Sequence, residues 1–162
     1  MAMAILSWMI GIPVLGAMTG LRCMTPMAML CWFAYLHRLP IHYSWALWVA
    51  NPITVGVFTV LALGELVGDK LPQTPSRLDI GPLASRVIFG GLVGAIAATA
   101  LRGSAVEGIV LGAIGALGGA FTGYHIRAGI KHHTACQDLP IAFAEDIVTI
   151  GLSFLAIGIV TG

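Results

Sequence analysis

Arg22 stands inside the run Thr19-Gly20-Leu21-Arg22-Cys23-Met24-Thr25-Pro26, with apolar sequence on both sides. A guanidinium in that setting costs at least about 2.5–3.5 kcal/mol to bury in a bilayer, so it needs a counter-charge, an anion or water. Glu65 and Asp69 are four residues apart and share a helix face. Two such carboxylates repel unless a cation or a proton sits between them. Glu145 and Asp146 lie in the last apolar segment, and Lys70 and Arg127 fall on the same expected membrane face. These groups could meet in one polar network, with Glu65 and Glu145 as the expected partners of Arg22. Three readings stay open: ion pairs that fasten helices together, a path for a proton or ion, and charges at the membrane surface. In a further variant, Arg22 and helix N-terminal amides hold an anionic substrate.

Softer ligands are present as well. Cys23, Met27 and Cys31 recur every four residues, so they share a helix face and offer a Cu(I)-like set, although methionine in apolar sequence is ordinarily filler. His132, His133 and Cys136 offer three zinc-type ligands without a fixed second shell. No metal or cofactor is expected. The chain has no phosphate-gripping Gly-Lys-Ser/Thr loop, no HExxH and no Gly-x-Ser-x-Gly. Chemistry on a lipid headgroup by Glu65 and Asp69 is the one enzymatic reading left, and a non-enzyme is favoured.

Composition decides the solvent. Of the 162 residues, 58% are hydrophobic and 9% charged, with a mean hydropathy of +0.95. Soluble chains average about 25% charged, so this one has too little charge to cover a water-facing surface. It reads as an all-α integral membrane protein forming a single domain over residues 1–162. A net charge of +1 leaves no footprint for nucleic acid. Three cysteines make no disulfide framework. Residues 1–20 lack Lys and Arg, so they read as a retained helix rather than a secretory signal.

About five segments are long enough to cross a bilayer: Ala4–His37, Tyr43–Gly68, Pro82–Leu101, Ala105–Lys131 and Leu139–Val160. The first would make a helix of about 50 Å, which exceeds the hydrocarbon. Gly20 and Pro26 mark a break within it, giving either a broken, tilted crossing or a crossing followed by a re-entrant half-helix. The broken crossing is the preferred reading. With five crossings, Lys70, Arg77, Arg86, Arg127 and Lys131 fall on one face and Arg38 and Arg102 on the other. That places the amino terminus in the cytoplasm and the carboxyl terminus outside, in a bacterial inner membrane.

Residues 16–20 read Gly-Ala-Met-Thr-Gly and residues 119–123 read Gly-Ala-Phe-Thr-Gly. Arg22 follows the first run; His125 and Arg127 follow the second. The two runs would enter from opposite sides, as in an inverted-topology repeat with its site at broken helices. Thr19, Gly20, Thr122 and Gly123 therefore join the pathway candidates. Gly90, Gly94 and Ala98 fall four apart, as do Gly108, Gly112, Ala116 and Ala120, and small residues so spaced let membrane helices pack closely.

The run Gly64-Glu65-Leu66-Val67-Gly68-Asp69-Lys70-Leu71-Pro72, continuing through Thr74-Pro75-Ser76-Arg77, resembles a bacterial membrane family catalogued as domain of unknown function 4126. Thr19-Gly20-Leu21-Arg22 is similar to the break in that family's first helix. The resemblance implies a small helical membrane protein and assigns no activity. A small channel or transporter for an unidentified small solute or ion, proton-coupled and acting as a homo-oligomer, is the leading expectation. A membrane scaffold that binds a partner protein or lipid is the alternative. A ligand-filled pocket at Gly20 and Gly123 would favour the first, and tight packing there the second.

Overall fold

A computed structural model of the chain describes residues 7–41, 43–68, 79–133 and 138–161, all helices and connections with no strand among them. A π-helical turn, Ser7–Gly11, leads into α1 (Ile12–Leu21), and α2 covers Met24–Tyr35. A 3-10 turn at Trp45–Ala50 precedes α3 (Pro52–Gly68). Then come α4 (Ile80–Ala100), α5 (Ala105–His133) and α6 (Asp138–Thr161). Three segments, Ile80–Ala100, Ala105–Gly129 and Ile141–Thr161, are long and apolar enough to cross a membrane, while Trp8–Leu21 and Pro52–Gly68 are shorter apolar helices.

Polarity is arranged inside out. Arg22, Arg86 and Asp146 are buried, whereas Ile53, Val60, Leu63, Ile147, Phe154 and Leu155 are exposed. In water that distribution would be unstable; against hydrocarbon it is the favourable one.

The first long segment does not continue in one direction. Gly11 lies against Ala156 and Val160 of α6, and Arg22 pairs with Asp146 nearer the start of α6. Phe33 then packs on Phe154, with ring centroids 5.4 Å apart. Along α6 the chain thus runs from the level of residue 160 to 146 and back towards 154. The same return is seen on α3, where Cys23 and Met24 meet Glu65 but Trp32 bonds to Thr59. α1 and α2 form a hairpin that turns at Arg22–Cys23, not the broken crossing expected from sequence. The turn lies about 20 Å from Ser7 along α1 and about 12 Å into α6, so it sits inside the bundle.

Two consequences correct the sequence reading. Residues 7–11 share one end of the bundle with residues 156–160, and the Trp8 ring lies over Gly103. The two described ends of the chain are therefore together, not on opposite faces. The second segment also starts later than Tyr43. Pro52 cannot continue a helix from Asn51 because it has no N–H. Asn51 instead receives Ile53 N on its side chain at 2.9 Å and Val55 N on its carbonyl at 3.0 Å, and α3 starts there.

Small residues hold α1, α4 and α5 together. Gly112 of α5 is at the centre, facing Gly16 of α1 on one side and Gly90 and Gly94 of α4 on another. Gly94 meets Gly108, and Gly20 meets Ala116 and Ala120. At these positions a Cβ would fall on backbone atoms of the neighbour, so the helices approach to backbone contact.

Candidate functional site

The hairpin tip is built from two helix ends that would otherwise be unsatisfied. A helix leaves its last carbonyls and its first amides without partners, with partial negative and positive charge respectively. Arg22 closes α1 in an extended conformation, φ −135° and ψ 111°, with its own N–H still donating to Met18 O at 2.8 Å. Cys23 returns to helical angles, φ −63° and ψ −48°, and α2 starts at Met24. Pro26 is the third residue of α2, where an N–H would have no intrahelical acceptor, so its ring costs no hydrogen bond.

Each helix end receives the charge that its dipole favours. Glu65 of α3 accepts from Cys23 N at 2.6 Å and from Met24 N at 2.8 Å, one bond to each carboxylate oxygen. Arg86 of α4 donates from Nη1 to Gly20 O at 2.6 Å and, more weakly, towards Leu21 O at 3.4 Å. The Arg22 side chain pairs with Asp146 of α6. Arg22 is completely buried and Asp146 nearly so. Three helices thus each contribute one charged group to the tip, and two guanidinium groups balance two carboxylates.

The expected partners of Arg22 are corrected in part. Asp146, which was not the expected partner, pairs with the guanidinium; Glu65 accepts from backbone amides, and Glu145 faces Arg127 at 3.9 Å. Thr19 is buried one turn before the tip, and its hydroxyl donates to Leu15 O at 2.9 Å. Asp69, Lys70 and Cys136 lie outside the described residues, as do the side chains of His132 and His133. Thr122 and His125 point outwards from α5, His125 with its ring against Tyr124. Cys23, Met27 and Cys31 are all buried, and no group of three His, Cys, Asp or Glu side chains suited to a metal occurs among the described residues.

Gly20 and Gly123 do not form a shared ligand pocket. Gly20 is in backbone contact with α5. Gly123 instead lines a shallow apolar groove of about 380 Å³ between α1 and α5, with Ala17, Leu21, Gly119 and Ile126. α5 runs unbroken through its Gly-Ala-Phe-Thr-Gly run, so it has no counterpart of the break after Leu21. Arg86 was missed as a site residue. It falls inside the expected third span, four positions after Pro82, and that placement is the signal the sequence offers.

The family described as Domain of unknown function (DUF4126) matches residues 9–159. No curated protein and no solved structure matches the chain.

Proposed function

We propose that this chain, which belongs to the DUF4126 family, is a small membrane channel or transporter whose working part is the α1–α2 hairpin. One observation carries this reading: an apolar helical bundle keeps a chain reversal with two helix ends in its interior and neutralises it with charges from α3, α4 and α6. A continuous helix would satisfy the same backbone groups without burying two guanidiniums and the Asp146 carboxylate. Irregular backbone at membrane depth is tolerated only where it is buried in protein or lines a water-filled cavity, and half-helix ends are a means by which transporters meet a polar solute there.

In this reading α3 to α6 are four crossings and the hairpin is re-entrant, in place of five crossings. In sequence, Lys70 and Arg77 fall between α3 and α4, and Arg127 and Lys131 in the last turns of α5, against Arg38 and Arg102 at the Gly103 end, so the Asp79 end faces the cytoplasm. Both described ends of the chain are then outside. α1 and α5 run side by side in the same direction, since Gly16 meets Gly112 and Gly20 meets Ala116 and Ala120, so the Gly-Ala-x-Thr-Gly correspondence does not support an inverted repeat. A bundle of 16.9 kDa has little room for a route of its own, which favours a homo-oligomer.

The test is flux in proteoliposomes across protons, cations, anions and small neutral solutes, with Arg22→Gln and Glu65→Gln as variants. A flux in the parent chain that both variants lower is the expected result. Folded variants that conduct like the parent would reduce the polar tip to a fastening. The scaffold reading keeps one observation of its own, the open apolar groove between α1 and α5 together with the tight packing at Gly20. Absence of any flux from the folded parent would favour it.

A further inference from the structure

All four tryptophans of the chain are at one end of the bundle. Trp8 lies over Gly103. Trp45 donates from Nε1 to the Thr99 hydroxyl, near the end of α4, at 3.1 Å. Trp48 faces Phe58 in the first half of α3, and Trp32 meets both Thr59 and Tyr35 towards the end of α2. Tyr35 and Tyr43 belong to this end too, whereas Tyr124 lies about 28 Å along α5 from it. Apart from Trp8, the rings at the Gly103 end are exposed. They touch α3, α4 and the turn before α5, so they form a belt rather than one patch.

The exposed rings differ in what their polar atoms do. Trp32 and Trp45 give their N–H groups to Thr59 and Thr99, whose hydroxyls donate in turn to Val55 O and Ala95 O. Both rings can therefore face hydrocarbon with no bond left unmade. The Trp48 N–H and the Tyr35 and Tyr43 hydroxyls have no hydrogen-bond partner among the described residues. Placed in hydrocarbon, each would lose its bond to water without a replacement. At the level of the headgroups each finds phosphate, ester carbonyl or water, and amphipathic rings with such a polar tip are enriched in that layer.

Charge selects the same partner. Arg38 and Arg102 are exposed where α2 and α4 end, and a guanidinium matches a phosphate in both charge and geometry. The level of the belt also sets the depth of the hairpin. From Tyr35 back to Met24, α2 is about 17 Å long, and half of a hydrocarbon core is about 15 Å. With Tyr35 at the headgroups, the chain reversal at Arg22–Cys23 falls at the middle of the bilayer, together with Glu65, which accepts from its amides.

We infer that the Gly103 end is seated in the phospholipid headgroup layer by Tyr35, Tyr43, Trp48, Arg38 and Arg102, and that this seat holds the hairpin tip at the bilayer midplane. The inference rests on the chain being a membrane protein and is independent of the transport reading. Its test is tryptophan fluorescence of the full chain in phosphatidylcholine vesicles whose acyl chains carry bromine either just below the headgroup or near the terminal methyl. Because every tryptophan is at one end, the unaltered chain reports on that end. Shallow bromine should remove most of the emission and deep bromine little of it. Stronger quenching by deep bromine would overturn the seat. Quenching by neither would overturn it as well, since protein, such as a second copy of the chain, would then cover the rings.

The depth of the tip is read from α3. Leu63 is exposed two residues before Glu65, and Leu63→Trp in a chain with the four native tryptophans changed to Phe places one fluorophore at the level of the tip. Deep bromine should quench it more than shallow bromine does. The opposite preference would put the tip near a membrane surface and overturn the midplane assignment. Should the chain without native tryptophan fail to fold, Leu63→Trp in the parent serves instead: the emission it adds should be lost to deep bromine, and loss of that added emission to shallow bromine would overturn the assignment in the same way.

Discussion

Phe33 lies edge-on against Phe154, with ring centroids 5.4 Å apart and planes at 67°, while Arg22 pairs with Asp146 two turns nearer the start of α6. The two contacts fix the direction of α2. Had the helix continued past the break, Phe33 would be more than about 20 Å from Phe154, counting the rise on both helices. A double variant with Cys at Phe33 and Phe154, in a background with Cys23, Cys31 and Cys136 changed to Ser, should be joined by a short bis-maleimide within one monomer. A pair with Cys at Phe33 and Ile126 should not. Cross-linking of the second pair alone would restore the broken crossing.

Arg22 and Asp146 should show strong coupling. Removing one partner of a buried pair leaves the other charge without compensation, at a cost of about 3–5 kcal/mol. Arg22→Gln and Asp146→Asn should each destabilise by that order, and the double variant by clearly less than the sum. A coupling of about 1–3 kcal/mol is expected from unfolding measured in the same detergent. Additive losses would mean that the two residues act independently.

Much of this site is visible in the sequence as ionisable residues in apolar surroundings. Arg22, Glu65 and Asp146 stand out because each is expensive where it is, and the glycine spacing of α4 and α5 likewise anticipates their backbone contact. The direction of α2 is not visible, because apolar composition is the same whether the chain goes on or turns back at Arg22. Pro26 is ambiguous for a related reason: it interrupts a helix from within but fits its first turn. Arg86 is less legible, because a basic residue four positions after Pro82 reads equally well as a charge at the end of the span that orients the bundle. Pairing is the least legible level, since Asp146 and Glu145 are neighbours in sequence and only the rotation of α6 decides which meets Arg22.

Gly112 should be the least replaceable small residue. It faces both α1 and α4, and an added Cβ would fall on the carbonyl of Gly90. Gly112→Ala should cost about 1–3 kcal/mol as overpacking, and Gly112→Val should prevent recovery of a monodisperse protein. Gly118, which meets nothing within 4 Å, is the control, and Gly118→Ala should be neutral or slightly stabilising because alanine is the better helix former. Equal behaviour of Gly112→Ala and Gly118→Ala on gel filtration and in thermal unfolding would refute the small-residue contact.

Two helix ends at the Gly103 end of the bundle carry backbone strain that glycine would remove. His37 and Arg102 both have φ 57°, in the left-handed region. Each follows a helix whose carbonyls it and its successor cap: His37 N bonds to Ala34 O and Arg38 N to Phe33 O, and likewise Arg102 N to Thr99 O and Gly103 N to Ala98 O. This double bond pattern requires a left-handed residue at the first position after the cap, and glycine is favoured there. For an L side chain the conformation costs roughly 1–2 kcal/mol, offset in part by glycine's greater freedom when unfolded. Arg102→Gly should therefore raise Tm, while Arg102→Ala should not, since alanine removes the charge and keeps the strain. If the two variants behave alike, the arginine side chain rather than the backbone decides stability at this turn.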